Sequence, residues 1–107
     1  MEIEPEFYKL ISRFFWDICD GVGPIKMDND PDRTYYTHCI NNKQWWFDYH
    51  KTTHIIDVSD RIVSPLKTCF DLTREEMRLV LAQLFKERFN LNASLINYSI
   101  EMYFKNN

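Results

Sequence analysis

"TYYTHCINNKQWWFDYH", residues 34–50, decides the fold, because large and polar side chains alternate on either side of a pair of asparagines. Alternation with period two is the strand signal, since successive side chains of an extended chain project to opposite faces. Consecutive asparagines tolerate the positive φ angles that a tight two-residue turn demands. Placing Asn41 and Asn42 in that turn pairs Ile40 with Lys43, His38 with Trp45 and Tyr36 with Phe47. One face of the resulting hairpin carries Tyr36, His38, Ile40, Trp45, Phe47 and Tyr49, a set fit for burial. The opposite face receives Tyr35, Thr37, Cys39, Gln44, Trp46, Asp48 and His50.

Downstream, "THIIDV" (53–58) returns as a third strand after a turn near Lys51 and Thr52, adding Ile56 and Val58 to the first face and Ile55 and Asp57 to the second. Upstream, "EPEFYKLISRFFWDICDG" (4–21) spaces Phe7, Leu10, Ile11, Phe14 and Ile18 along one helical face, with Phe15 widening the stripe. The expected helix runs from about Pro5 to Asp20. Proline suits the first helical turn, where its missing N–H is not needed, and Gly21 can take the left-handed conformation that closes a helix.

The intervening "VGPIKMDNDPDR" (22–33) reads as a loop, since Gly-Pro, Asn-Asp and Asp-Pro are turn dipeptides. Asp28, Asn29, Asp30 and Asp32 cluster oxygens as a calcium loop does, but Pro31 interrupts them and neither the turn glycine nor the terminal glutamate follows. A solvated acidic loop is expected. "SDRIVSPLKTCFD" (59–71) reads as irregular, with Pro65 breaking any helix that starts near Ser59. "TREE" (73–76) is a capping box that opens a second helix from Thr73 to Phe89, with Met77, Val80, Leu81, Leu84 and Phe85 on its buried side. In "LINYSIEMYF" (95–104), Ile96, Tyr98, Ile100, Met102 and Phe104 alternate with Asn97, Ser99 and Glu101, so a strand is expected, with a helix as the alternative. The expected architecture is α+β: an N-terminal helix, a three-stranded antiparallel meander, a second helix and a C-terminal strand, with the helices packed on one face of the sheet.

A chain of 107 residues, 45% hydrophobic and 27% charged, has the length and composition of one folded domain spanning 1–107. Aromatics reach 16% with only two glycines, so the core is bulky and Asn, Asp and Ser serve the turns. A net charge of −3 lacks the basic footprint of a phosphate-backbone binder and suits a basic protein partner instead, with no direct nucleic-acid contact. No apolar run approaches the roughly 18 to 20 residues of a membrane span, and "MEIEPEF" is acidic where a signal peptide is basic, so a cytoplasmic location is expected. Cys19, Cys39 and Cys69 are odd in number and widely spaced, which predicts free thiols, buried or half-buried, rather than disulfides or a metal knuckle.

Catalytic signatures are scarce. "HKTTH" (50–54) lacks the glutamate of a zinc-protease motif, and in an extended chain His50 and His54 would lie about 13 Å apart. Cys39 adjoins His38, yet neighbours on a strand face opposite ways and cannot form a dyad. The serines sit in no nucleophile-elbow context, no glycine-rich phosphate loop exists, and no metal or cofactor is called for. Trp45, Phe47, Tyr36 and Tyr49 read as packing residues. Tyr35, Trp46, Asp48, His50 and Asp57 share the other face, and aromatics beside charged groups are what protein interfaces use as anchors. These features point to a small acidic inhibitor, of the immunity-protein, antitoxin or phage-antagonist type, that covers a basic surface such as the cleft of a toxin nuclease. An enzyme or ligand-binding domain built on His38, His50 and His54 is the alternative. Convergence of those imidazoles would favour chemistry, and their dispersal around Trp46 an interface. The expected oligomeric state is a monomer or homodimer.

Overall fold

The computed structural model describes residues 3–26, 30–40 and 43–98. Among them three helices pack against a five-stranded mixed sheet, in the order α1 (Pro5–Ile18), β1 (Gly23–Lys26), β2 (Arg33–Ile40), β3 (Lys43–His50), β4 (Ile55–Val58), α2 (Asp60–Phe70), α3 (Arg74–Phe89) and β5 (Leu95–Tyr98). Strand order follows chain order. The first four strands are antiparallel neighbours, and β5 lies parallel to β4 after the chain has crossed over through α2 and α3.

The hairpin forms in the predicted register, with Ile40 opposite Lys43, His38 opposite Trp45 and Tyr36 opposite Phe47. The turn assigned to Asn41 and Asn42 lies outside the described residues. The third strand extends the meander as expected, pairing Phe47 with Val58 and Tyr49 with Ile56. Trp45, Phe47, Ile56 and Val58 are buried, and Tyr36 and Tyr49 pack against the same core. Phe15 from α1 and Phe85 from α3 meet this face at ring separations of 6.0 Å from Trp45 and 4.5 Å from Phe47, and Ile62, Val63 and Leu66 of α2 join the same cluster. The predicted helix faces behave accordingly: all five apolar residues named on α3 are buried, and its capping box is present, with Glu76 N–H donating to Thr73 Oγ1 at 3.1 Å and Thr73 N–H to Glu76 Oε1 at 2.9 Å. On α1 the buried line is Ile11 and Phe15, while Leu10 lies at the edge of the stripe and is 55% exposed.

Three expectations are corrected. Residues 23–26, read as loop, form edge strand β1; Pro24 is tolerated there because its missing N–H removes no interior ladder bond, and Gly23 and Lys26 pair with Thr37 and Thr34. Residues 60–70, read as irregular, form α2 around Pro65, because Ile62, Val63 and Leu66 bury their side chains and Ser59 and Asp71 close its ends. Cys69 consequently sits on the solvent side of a helix and is exposed, whereas Cys19 is buried as expected, and burial pushes its thiol pKa up. The C-terminal segment is a strand over residues 95–98, with Ile96 and Tyr98 buried; the remainder of the predicted strand lies outside the described residues. Among the described residues no helix is long and apolar enough to cross a membrane.

Part of the acidic segment is structural. Asp32 Oδ1 accepts from the backbone N–H of Thr52 at 2.8 Å and from its hydroxyl, while Lys51 N–H donates to the Asp32 carbonyl, so the approach to β2 is tied to the β3–β4 turn. These hydrogen bonds hold the Asp32 carboxyl below its ordinary pKa. A depressed folded value means that its stabilisation is complete above the unfolded carboxylate value near ~4 and is lost as pH falls through the lower folded value. Asp32→Asn should therefore flatten the acid limb of stability against pH, measured as the urea midpoint between neutral and strongly acidic buffers; an unchanged limb would mean that Thr52 does not favour the ionised form.

Candidate functional site

Parity along the hairpin sends Tyr35, Trp46, Asp48, His50 and Asp57 to the face opposite the helices, as their positions between the buried residues require. All five predicted residues are thus brought onto one surface. Tyr35 lies directly across from Asp48, and Asp48 directly across from Asp57. The Tyr35 and Trp46 rings tilt together at 5.9 Å, and Gln44 Nε2 donates to Tyr35 Oη and to Thr37 Oγ1, each at 3.0 Å. This fastens the aromatic pair from one side.

The charged half is a network rather than a set of free groups. Arg33 Nη2 donates to Asp48 Oδ2 at 2.5 Å, and that bond and charge raise the guanidinium pKa further. His50 Nε2–H donates to Asp57 Oδ2 at 2.9 Å, while Asn97 Nδ2 donates to Asp57 Oδ1 at 2.8 Å. Asp57 therefore has both oxygens engaged. Asp48 does not: it is only 7% exposed, and its Oδ1 is shut from solvent with no hydrogen-bond partner among the described residues. Trp46 is half-buried, its backbone continuing the ladder through Ser59 N–H to the Trp46 carbonyl at 3.2 Å.

Two concavities flank Trp46 and share Asp48. One, of about 500 Å³, lies toward β4, β5 and the start of α2 and includes Asp57, Ser59, Asp60 and Asn97. The other, of about 350 Å³, is bounded by Arg33 and Tyr35.

No family model, curated protein or solved structure matches the chain. Function must therefore be argued from the face itself.

The histidines do not converge. His38 is on the helix-facing side, edge-on to Trp45 and donating from Nε2 to the Ile18 carbonyl at 3.2 Å. His50 is on the outer face, and His54 is exposed in the β3–β4 turn at φ 61, with its ring 6.2 Å from Tyr49. Among the described residues no group of three or more His, Cys, Asp or Glu side chains is arranged to hold a metal ion.

Sequence reasoning missed Arg33, Asp60 and Asn97. Arg33 continues the odd-numbered row of Tyr35 and Thr37, one residue before the alternating stretch begins. Asn97 reaches Asp57 only because β5 pairs with β4 in parallel, a long-range fact that no local pattern carries. Asp60 depends in turn on α2 beginning where it does. Trp16 was also overlooked: it is 46% exposed on α1, with the Arg88 guanidinium 4.8 Å over its ring.

Proposed function

We propose that the chain is a stoichiometric binding protein, of the immunity-protein, antitoxin or phage-inhibitor type, that docks its outer sheet face on a basic protein in the cytoplasm. The observation that carries this reading is the juxtaposition on one face of a half-buried aromatic pair, Tyr35 and Trp46, with Asp48, Asp57 and Asp60, while the three histidines are dispersed. Aromatic rings bury much area while freezing few torsions, and carboxylates beside them steer a cationic surface into register. The net charge of −3 acts in the same direction at longer range.

The test is affinity capture from the cells that encode the chain, comparing the native protein with Trp46→Ala. The native protein should retain a basic protein at one-to-one stoichiometry, and Trp46→Ala should weaken that complex by about tenfold or more while costing about 1 kcal/mol of stability, because Trp46 is half-buried and its ring packs beside Tyr35 on the outer face. Equal retention by both would place the interface elsewhere. Loss of the fold in Trp46→Ala would overturn the assignment of Trp46 to the outer face.

A second reading, a small enzyme, draws on one observation: Asp57, held by Asn97, orients His50 as a carboxylate orients a general base. Among the described residues no hydroxyl or thiol is hydrogen-bonded to His50, so a base acting on water would be the form it takes. His50→Gln would then abolish turnover and spare binding, whereas an interface role predicts a modest loss of affinity and nothing else.

A further inference from the structure

The helix layer carries an apolar surface that the sheet does not cover. Phe70, the last residue of α2, sets its ring between Phe7 and Phe14 of α1, at 5.9 and 5.5 Å and nearly perpendicular to each. All three are half-buried, and Leu10, one turn from both Phe7 and Phe14, is 55% exposed. Trp16 is also exposed on α1, but the Arg88 guanidinium lies over its ring, whereas Leu10 stands open. Phe7, Leu10 and Phe14 follow the alternating three and four spacing of a helix-pairing seam. Glu6 and Arg13, both exposed, border that seam. Being seven residues apart, they occupy the same heptad position and line one edge of it, four residues before Leu10 and three after. Glu6 meets Lys9 at 3.4 Å, an exposed pair that contributes little and is readily exchanged.

We propose that this surface binds a second copy of the chain, α1 packing antiparallel on its twofold mate with Leu10 at the axis. The charges bordering the seam select that occupant. A twofold axis across antiparallel helices brings the same edge of each seam together in reverse order. Leu10 then meets Leu10, Phe7 of one copy nears Phe14 of the other, and Glu6 falls opposite Arg13 at both ends of the contact. The seam is thus complementary to itself in shape and in charge. A net charge of −3 opposes self-association over the rest of the surface, but the Glu6 and Arg13 charges cancel here. A basic partner would gain nothing from Arg13. With four large apolar residues in each copy the contact is small, so the dimer is weak and depends on concentration. It lies in the helix layer, leaves the outer sheet face free, and does not rest on the docking-face reading above.

Sedimentation velocity on the full-length protein, from low micromolar to near-millimolar concentration, is the test. The mass should rise from one chain toward two. Leu10→Glu, an exposed change to a good helix former, should weaken the dimer by about tenfold or more and leave the thermal midpoint nearly unchanged. Glu6→Arg and Arg13→Glu should each weaken it by about tenfold or more, since each sets like charges against each other at both ends of the contact. Mixed together, those two charge variants should form a heterodimer, because both ends are again of opposite sign. Trp46→Ala should self-associate as the native protein does. A single-chain mass throughout the range, an unaffected Leu10→Glu or charge variant, or no recovery on mixing overturns the proposal. So does loss of self-association in Trp46→Ala, which would move the contact to the outer face. A monomer that still retains its basic partner leaves the docking-face reading standing, so the two fail separately.

Discussion

Phe47→Ala is expected to lower the free energy of unfolding by about 3 to 5 kcal/mol, a large part of the roughly 5 to 15 kcal/mol that a domain of this size possesses. Phe47 is fully buried and stacks against Tyr36 at 4.5 Å with only 8° between the ring planes, while Phe85 and Phe89 of α3 approach at 4.5 and 5.0 Å and Trp45 at 6.0 Å. Removing the ring forfeits its burial and leaves a void walled by other rings. Flat, rigid neighbours collapse poorly into such a space, so the cost should fall toward the upper end of the range. Phe47→Leu, which retains part of the volume, should lose less. Chemical denaturation followed by far-ultraviolet circular dichroism measures both; a loss below about 1 kcal/mol for Phe47→Ala would mean that Phe47 does not face the helices, and the alternation of faces across the whole hairpin would be reversed.

The contrast with Trp46, one residue away, explains how much of this fold was readable. Period-two alternation around Asn41 and Asn42 carries register and parity together, so the pairing of Tyr36 with Phe47 and the separation of Trp45 from Trp46 follow from local pattern alone. The same holds for α3, whose capping box and apolar face are contained within its own residues. Legibility ended where an element depends on its neighbours. Strand β1 has only four residues and a proline, and it exists because β2 offers an open edge to pair with. The partners of Asp57 and Asp48 are distributed in the same way: His50 and Asp57 are both in the opening stretch and its continuation, but Asn97 arrives from 40 residues away, and Arg33 lies just beyond the window in which alternation was recognised. The aromatic half of the candidate face was therefore visible in sequence, and most of its charge pairing was not.

Helix α2 marks the opposite failure, in which a correct local rule is outweighed, and it yields the second large effect. Pro65→Ala should stabilise the protein by about 2 kcal/mol: proline in a helix interior is about 3 kcal/mol less favourable than alanine, and up to about 1 kcal/mol of that is recovered because proline also restricts the unfolded chain. The missing N–H of Pro65 deprives α2 of the bond that would run to the Arg61 carbonyl one turn earlier. Burial of Ile62, Val63 and Leu66 against the core compensates, each fully buried hydrocarbon side chain contributing about 1.5 to 3 kcal/mol. Alanine leaves those three anchors in place and restores the hydrogen bond. A rise in the urea midpoint with an unchanged slope would bear this out. A fall would show that the half-buried pyrrolidine ring stabilises α2 by packing, or that the helix needs its proline bend to lay Ile62 and Leu66 against the sheet. The double variant Pro65→Ala with Leu66→Ala separates these possibilities: additive changes mean that helix propensity alone was at stake, and a strong departure from additivity means that the bend positions the anchor.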